Sequence, residues 1–355
     1  SSNYELYGEI TGRVMTIIRD MAPQCFRYSI DEAFAVLDGF SVEQLKEWGE
    51  ELHRRVLQSV GMPLTIGIAP TKTLAKMASH FAKKYAGYNH CCVIDTDDRR
   101  LKAAALYPIG EVWGIGRRYA ARLESYGIRT AYDFAAHSRS WVRATFKTVV
   151  VERTWAELNG NDCVSDDLPA KKKSICTSRS FSGMVCDFDT LRTHVANFAA
   201  RCAEKLRKQQ SAASIVGVFV ESNRFRPDLT QYCNMTEANL STPSSSTIDV
   251  VKAATACLRR IYREDIHYKR AGVVLMGVVP NAAVQADLFT FDAEKYQHMM
   301  QLDSAVDRIN KVDGTETVIL SSQQYPNGRK FADAIKHDFK SACPTTRWSD
   351  IIKLK

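Results

Sequence analysis

The sequence predicts an α+β fold divided among several domains, and three stretches predict it. The first hundred residues alternate helical and strand-like periodicity, residues 99–167 read as a run of short helices, and residues 175–280 follow the order strand, helix, strand, strand, helix, strand. At 355 residues, 45% hydrophobic and 25% charged, the chain is long enough for two or three such domains and too apolar to be a disordered one.

The chain starts directly on a helix. Ser2 and Glu5 have capping-box spacing, and Leu6, Ile10, Val14, Ile17 and Met21 fall on one face. Phe26, Tyr28 and Ile30, then Asp31 and Glu32, then Phe34, Val36 and an Asp38-Gly39 turn predict two short strands hinged at the acids. Ser41 and Gln44 cap a helix carrying Leu45, Trp48, Leu52, Val56 and Val60, which Gly61 and Pro63 stop before a strand over 64–69. A further helix runs from Thr71 through "KTLAKMASHFAKK", with Leu74, Met77 or Ala78, and Phe81 inward and Lys72, Lys76, Lys83 and Lys84 on other faces. "CCVID" closes the unit, so residues 1–98 predict one small antiparallel or mixed sheet with its helices.

The heptapeptide "YSIDEAF" raises a chemical question. Adjacent acids in a half-buried strand repel and lose hydration, so either their pKa values rise or the strand bends until water reaches them. A divalent cation also resolves the conflict, because Mg²⁺ takes one or two carboxylates and keeps other positions for water and phosphate. A solvated tight turn and a metal site both satisfy these seven residues.

Residues 112–128, "VWGIGRRYAARLESYGI", predict a small helix, a Gly-Ile-Gly turn and a second helix. Such a helix-hairpin-helix lets backbone N–H groups at Gly114 and Gly116 approach a phosphate, with Arg117 and Arg118 following. A plain αα-hairpin needs the same glycines, and Trp113 reads as core. Residues 168–174, with three consecutive lysines, read as a linker into a split βαβ, ferredoxin-like unit over 175–280. Its first helix turns Arg192, Arg201, Lys205, Arg207 and Lys208 outward, beside Lys171, Lys172, Lys173 and Arg179, as a phosphate track. Residues 281–355 read as a polar tail with one helix near 296–310.

The net charge of +8 favours a polyanionic partner only mildly at this size. Ten cysteines without a C-x-x-C pair argue against a disulfide framework and a zinc ribbon, and point to a reducing cytosol. No apolar run approaches the roughly 18 residues of a membrane span.

"YSIDEAF", "GIAPTKTLAKMASHFAKK" and "VWGIGRR", in that order and followed by a ferredoxin-like module, resemble the Y-family translesion DNA polymerases. "SSNYELY", "RSFSG" and "TTRWSDIIKLK" bring the resemblance to the bacterial SOS branch of that family, over essentially the whole chain. The resemblance implies a partial palm (1–98), a helix-hairpin-helix thumb (99–167), a linker (168–174), a little finger (175–280) and a tail (281–355). It implies error-prone lesion-bypass synthesis by two-metal nucleotidyl transfer in the SOS response, near the nucleoid. Asp31 and Glu32 become two of three carboxylates that hold two Mg²⁺ ions, and Lys83 a ligand of the incoming dNTP. Gly114, Gly116 and Arg117, with Arg179 in the little finger, become contacts to primer–template DNA. Gln285, Asp287, Leu288 and Phe289 resemble the pentapeptide that docks on the sliding clamp, with Ala286 where the pattern usually has Leu. UmuD′-like and RecA-like proteins are partners by family.

The 355 residues depart from the family at the front. They contain no Asp-x-Asn-x-Phe-Tyr strand, the family's source of the third carboxylate and the steric gate, nor the fingers that follow it. "DTDDRR" lies elsewhere and supplies no substitute. The expectation is a polymerase lacking its N-terminal palm strand and fingers, and the alternative is a catalytically incomplete fragment that binds DNA and the clamp.

Overall fold

The computed structural model describes residues 2–22, 24–164, 171–284, 292–314, 316–324, 339, 341–343, 345 and 348–351. They fall into two compact units, Ser1–Leu168 with Asp338–Lys355, and Pro169–His337.

The first unit opens with α1 (Tyr4–Met21). Its cap is Asn3, whose side chain accepts from Leu6 N, and not the Ser2–Glu5 box expected from spacing. Asn3 is fixed from elsewhere, because its amide also donates to Ser341 O at 2.9 Å and Cys343 Sγ at 3.0 Å. Strands β1 (Cys25–Arg27) and β2 (Ala33–Ala35) pair antiparallel, and α2 (Val42–Val60) carries the predicted Ser41–Gln44 capping box and ends at Gly61 in the left-handed region. Met15 and Ile18 of α1 pack on Leu52 and Val56 of α2.

Strand β3 (Ile66–Ile68) leads into α3 (Lys72–Lys84) and then β4 (Cys91–Val93), which pairs parallel with β3. The described residues therefore hold two separate two-stranded sheets where the sequence predicted one. A three-residue strand can close only a short ladder, and here the helices join the two pairs. A Cβ on Gly67 would meet Ala75 O at 2.0 Å and Ser79 N at 2.2 Å, so glycine is what lets β3 lie against α3.

Five short helices follow: α4 (Asp97–Leu106), α5 (Arg117–Ser125), α6 (Ala131–Ala135), α7 (Arg139–Phe146) and α8 (Val149–Leu158). Buried Leu74, Met77 and Phe81 of α3 share one core with Leu123, Phe134, Val142 and Leu158, so no break in the core separates the helices from the sheet residues before them.

In the second unit the predicted order holds: β5 (Ile175–Val185), α9 (Phe188–Lys208), β6 (Ser211–Ser222), β7 (Cys233–Ser244), α10 (Thr247–Ile261) and β8 (Tyr268–Pro280). The strand order is β5-β8-β6-β7, all antiparallel. This departs from the expected ferredoxin-like sheet, in which the first and third strands are central. The apolar strands β6 and β8 take the centre, buried through Val216, Val218, Val220, Ala271, Val273 and Leu275, while the more polar β5 and β7 form the edges. Each βαβ pair still straddles a strand. Helices α9 and α10 cover one face around this core.

Residues read as a polar tail with one helix pack along α9. Helix α11 (Ala293–Val312) places Asp307 on Arg207 through two 2.7 Å bonds, and Asp303 accepts from Thr247 N at 3.3 Å. Glu316 then meets Arg201 at 2.8 Å, Gln323 pairs with Asn197 and Gln324 O accepts from Thr193. The segment thus runs antiparallel to α9 and covers its outer side.

Candidate active site and nucleic-acid surfaces

The loop between β1 and β2 answers the question the two acids pose. Tyr28 N and Ser29 N both donate to Glu32 O, at 2.9 and 3.1 Å, closing a tight turn that carries Asp31 and Glu32 away from the ladder. Both acids are exposed, so of the alternatives the sequence left open the chain takes the bent, hydrated turn. Asp31 Oδ1 accepts from Ser29 Oγ at 2.6 Å.

Glu32 is tied to α3. Lys76 Nζ donates to Glu32 Oε1 at 2.7 Å, and lies 5.2 Å from the Tyr28 ring centre and 5.4 Å from that of Trp113. The Trp113 indole N–H donates to the Tyr28 hydroxyl at 3.2 Å, and Phe34 packs against both rings. Trp113 is half-buried, part of an aromatic wall and not of the deep core the sequence suggested. A cavity of about 120 Å³ opens beside it, lined by Thr73, Lys76, Met77, Tyr107, Glu111, Val112 and Trp113. Burial pushes the Tyr107 hydroxyl up to about 12, so it stays a donor, to Glu111 O.

Lys83 is exposed at the last turn of α3. Seven residues return a helix almost to the same face, so Lys83 lies about 10 Å along the axis from Lys76 on the same side. Lys72 turns elsewhere, donating to Val164 O at 2.6 Å. The start of α3 rests on Glu157, a buried acid that the sequence gave no reason to single out. Its carboxylate accepts from Thr73 N at 2.9 Å, Cys163 N at 3.0 Å and Val164 N at 3.2 Å, so three backbone donors satisfy the buried charge.

The two glycines of the hairpin differ. Gly114 has φ +90° and a Cβ there would lie 2.3 Å from Thr154 Oγ1, so folding itself demands glycine. Gly116, at φ −79°, caps α5, and a Cβ there would meet nothing within 4 Å. Gly116 offers no side-chain cap to the first amides of α5, and Arg117 and Arg118 stand exposed beside them, an arrangement able to receive a phosphate oxygen. Residues 112–116 form no first helix; a single 3₁₀ turn, Ile109–Glu111, lies just before the predicted span.

In the second unit the structure corrects the phosphate track along α9. Arg201 and Arg207 are taken by Glu316, Asp303 and Asp307. Arg179 pairs in register with Ala271 and shares a strand face with Ile175 and Thr177, which places it half-buried on the helix-bearing face. The opposite face carries Arg270, exposed and stacked over Phe219 at 5.4 Å, a cation the sequence reading missed. Lys172, Lys205 and Lys208 line a cavity of about 360 Å³ where β5 begins and α9 ends. Gln285, Asp287, Leu288 and Phe289 lie outside the described residues.

The impB/mucB/samB family model matches residues 1–80, and the model of that family's C-terminal domain matches residues 172–288. A domain of unknown function matches residues 300–354. Protein UmuC of Salmonella typhimurium is 36% identical over 359 residues, spanning 100% of this chain and 83% of that one. The chain belongs to the UmuC-like branch of the Y-family DNA polymerases. Protein ImpB of Salmonella typhimurium is 33% identical over 99% of this chain and 82% of its own length. The fold agrees: a chimera of the Y-family polymerases Dbh and Dpo4 superposes with a TM-score of 0.59 at 18% identity, over 79% of this chain and 78% of that one. The residues of the covering segment that bond it in place, Asp303 to Gln324, fall within the match to the domain of unknown function, as do Ser341 and Cys343, which dock on Asn3.

Proposed function

We propose that this Y-family chain takes part in error-prone, lesion-bypass DNA synthesis in the SOS response, with Asp31 and Glu32 as carboxylates of a two-metal nucleotidyl-transfer site. The observation that carries the reading is the β1–β2 turn, which carries two exposed carboxylates and ties one of them, Glu32, to Lys76 of α3. The residues fit Mg²⁺: the donors are hard carboxylate oxygens, they are open to water, and one already holds a cation, the Lys76 ammonium. Among the described residues no third His, Cys, Asp or Glu joins them, and the family's third carboxylate belongs to a strand motif that these 355 residues do not contain.

When bound, such ions lower the pKa of a primer hydroxyl and neutralise a leaving pyrophosphate. The chain's own residues supply the frame. The hairpin turn orients the two carboxylates, Lys83 offers a cation to a dNTP triphosphate, and the amides at Gly116 with Arg117 hold a duplex phosphate without reading its base. In the little finger, Arg270 on the exposed sheet face is better placed than Arg179 to meet primer–template DNA. Residues 285–289 bind the sliding clamp through Leu288 and Phe289, and UmuD′-like and RecA-like proteins are the partners that the family supplies.

The test is Mg²⁺-dependent primer extension, run on this chain and on the same chain with the family's opening strand fused ahead of it. Extension lost in Asp31→Asn and Glu32→Gln, with DNA binding kept, supports the reading. Extension that survives both substitutions overturns it. For the clamp, a pull-down that the Leu288→Ala, Phe289→Ala double variant leaves unchanged places the contact elsewhere.

A further inference from the structure

Lys76 has three partners at once, and their chemistry is unequal. Its ammonium donates to Glu32 Oε1 at 2.7 Å and faces the Tyr28 and Trp113 rings at 5.2 and 5.4 Å. The lysine side chain is only 25% exposed, held against the cavity wall, whereas Glu32 is 46% exposed and open to solutes. A divalent cation that takes the Glu32 carboxylate repels a unit positive charge at hydrogen-bond distance from it. The two rings remain to receive that charge, because aromatic faces attract an ammonium without competing for metal.

We propose that Lys76 is a positioning residue that acts as a built-in counter-ion: it holds the Glu32 carboxylate in place before metal arrives, and yields it to the incoming divalent cation while staying on Tyr28 and Trp113. The inference rests on the metal reading of Asp31 and Glu32. In this role Lys76 opposes metal binding, and it makes occupancy of the site visible at Trp113, whose indole is bonded to Tyr28. A purely structural lysine would instead support the carboxylate, and its removal would weaken binding.

The full chain is titrated with Mn²⁺, followed by calorimetry and by tryptophan emission. Lys76→Met, which keeps the stem and removes the charge, is expected to bind Mn²⁺ about tenfold more tightly. Lys76→Arg, which restores the charge, is expected to return the affinity to within about threefold of the parent. Emission should shift on saturation in the parent, and that shift should disappear in Trp113→Phe and shrink in Lys76→Met. Unchanged or weaker binding in Lys76→Met, beside normal binding in the parent, overturns the inference alone. Parent binding that Asp31→Asn and Glu32→Gln do not alter removes the metal reading and this inference together.

Discussion

A Cβ on Gly114 would lie 2.3 Å from Thr154 Oγ1, and that hydroxyl is already engaged with Trp113 O and Val150 O, so it cannot move away without losing a bond. With φ at +90°, the position is strained for any L side chain as well. Gly114→Ala is therefore expected to cost about 1–3 kcal/mol of stability, read from the urea midpoint at constant slope. Gly116 meets no such constraint. Gly116→Val is expected to fold nearly as well and to bind DNA more weakly, because its side chain would fill the space that a phosphate needs. If Gly116→Val loses as much stability as Gly114→Ala and keeps its DNA affinity, the two roles are wrongly assigned. In the parent, the logarithm of duplex affinity should fall with the logarithm of salt by about 0.9 per phosphate contacted.

Arg207 is the residue on which the covering segment most depends. It bonds both oxygens of Asp307 at 2.7 Å and also Ser245 O at 2.8 Å and Thr247 Oγ1 at 3.0 Å, with its side chain only 14% exposed. Removing one partner of a buried pair leaves charge uncompensated, so Arg207→Ala is expected to cost about 3–5 kcal/mol in urea unfolding of the full chain. Arg201 and Glu316 are each 34% exposed, and Arg201→Ala is expected to cost at most about 1 kcal/mol. Equal losses would mean that the segment is held elsewhere.

These assignments show what periodicity and spacing can and cannot carry. The helices of the first unit and all six elements of the βαββαβ module were legible, because amphipathic stripes, caps and turn residues are local. The acidic turn was legible as a hairpin for the same reason. The partners of its members were not: Lys76 and Glu32 are 44 positions apart, and nothing in "LAKMAS" says which lysine will meet an acid. Basic residues on one helix face read as a surface for nucleic acid, yet Arg201 and Arg207 are covered by acids about 100 positions later in the chain, at 115 and 100 positions' separation. Strand order was not legible, because the succession of elements does not say which strands are central. The apolar runs in β6 and β8 carried that signal.

Burial pushes the Asp303 carboxyl up, against the pull of Arg207 and the Thr247 hydrogen bonds. The folded protein thus binds this proton more tightly than the unfolded chain. The group's contribution to stability is full below the unfolded pKa and falls as pH rises through the folded one. Asp303→Asn keeps an acceptor for Thr247 N and removes the titration. Relative to the parent, the variant is expected to gain stability as pH rises from below the unfolded value of about 3.9 to about 7, followed by urea unfolding at both ends of the interval. A relative loss over that interval would show that Asp303 is stabilised by Arg207 more than it is penalised by burial.

Thiol reactivity gives an independent reading of the same packing. Burial pushes Cys91 and Cys202 up to about 11, so little thiolate forms near neutral pH, whereas Cys176, Cys186 and Cys233 are exposed. Alkylation of the native chain should modify those three first and leave Cys91 and Cys202 to unfolding. Cys343 is the informative case. It is 1% exposed, its Sγ accepts from the Asn3 amide at 3.0 Å, and its backbone N–H donates to Asp350 Oδ2 at 2.9 Å. Asn3 serves α1 as cap and Ser341 and Cys343 as anchor, so Asn3→Ala removes both functions, while Asn3→Asp keeps the cap and loses the donor. Labelling of Cys343 should rise in both variants, and α1 should weaken only in Asn3→Ala. If Cys343 stays protected in Asn3→Asp, Asp350 and the surrounding packing hold the segment, and Asn3 acts on α1 alone.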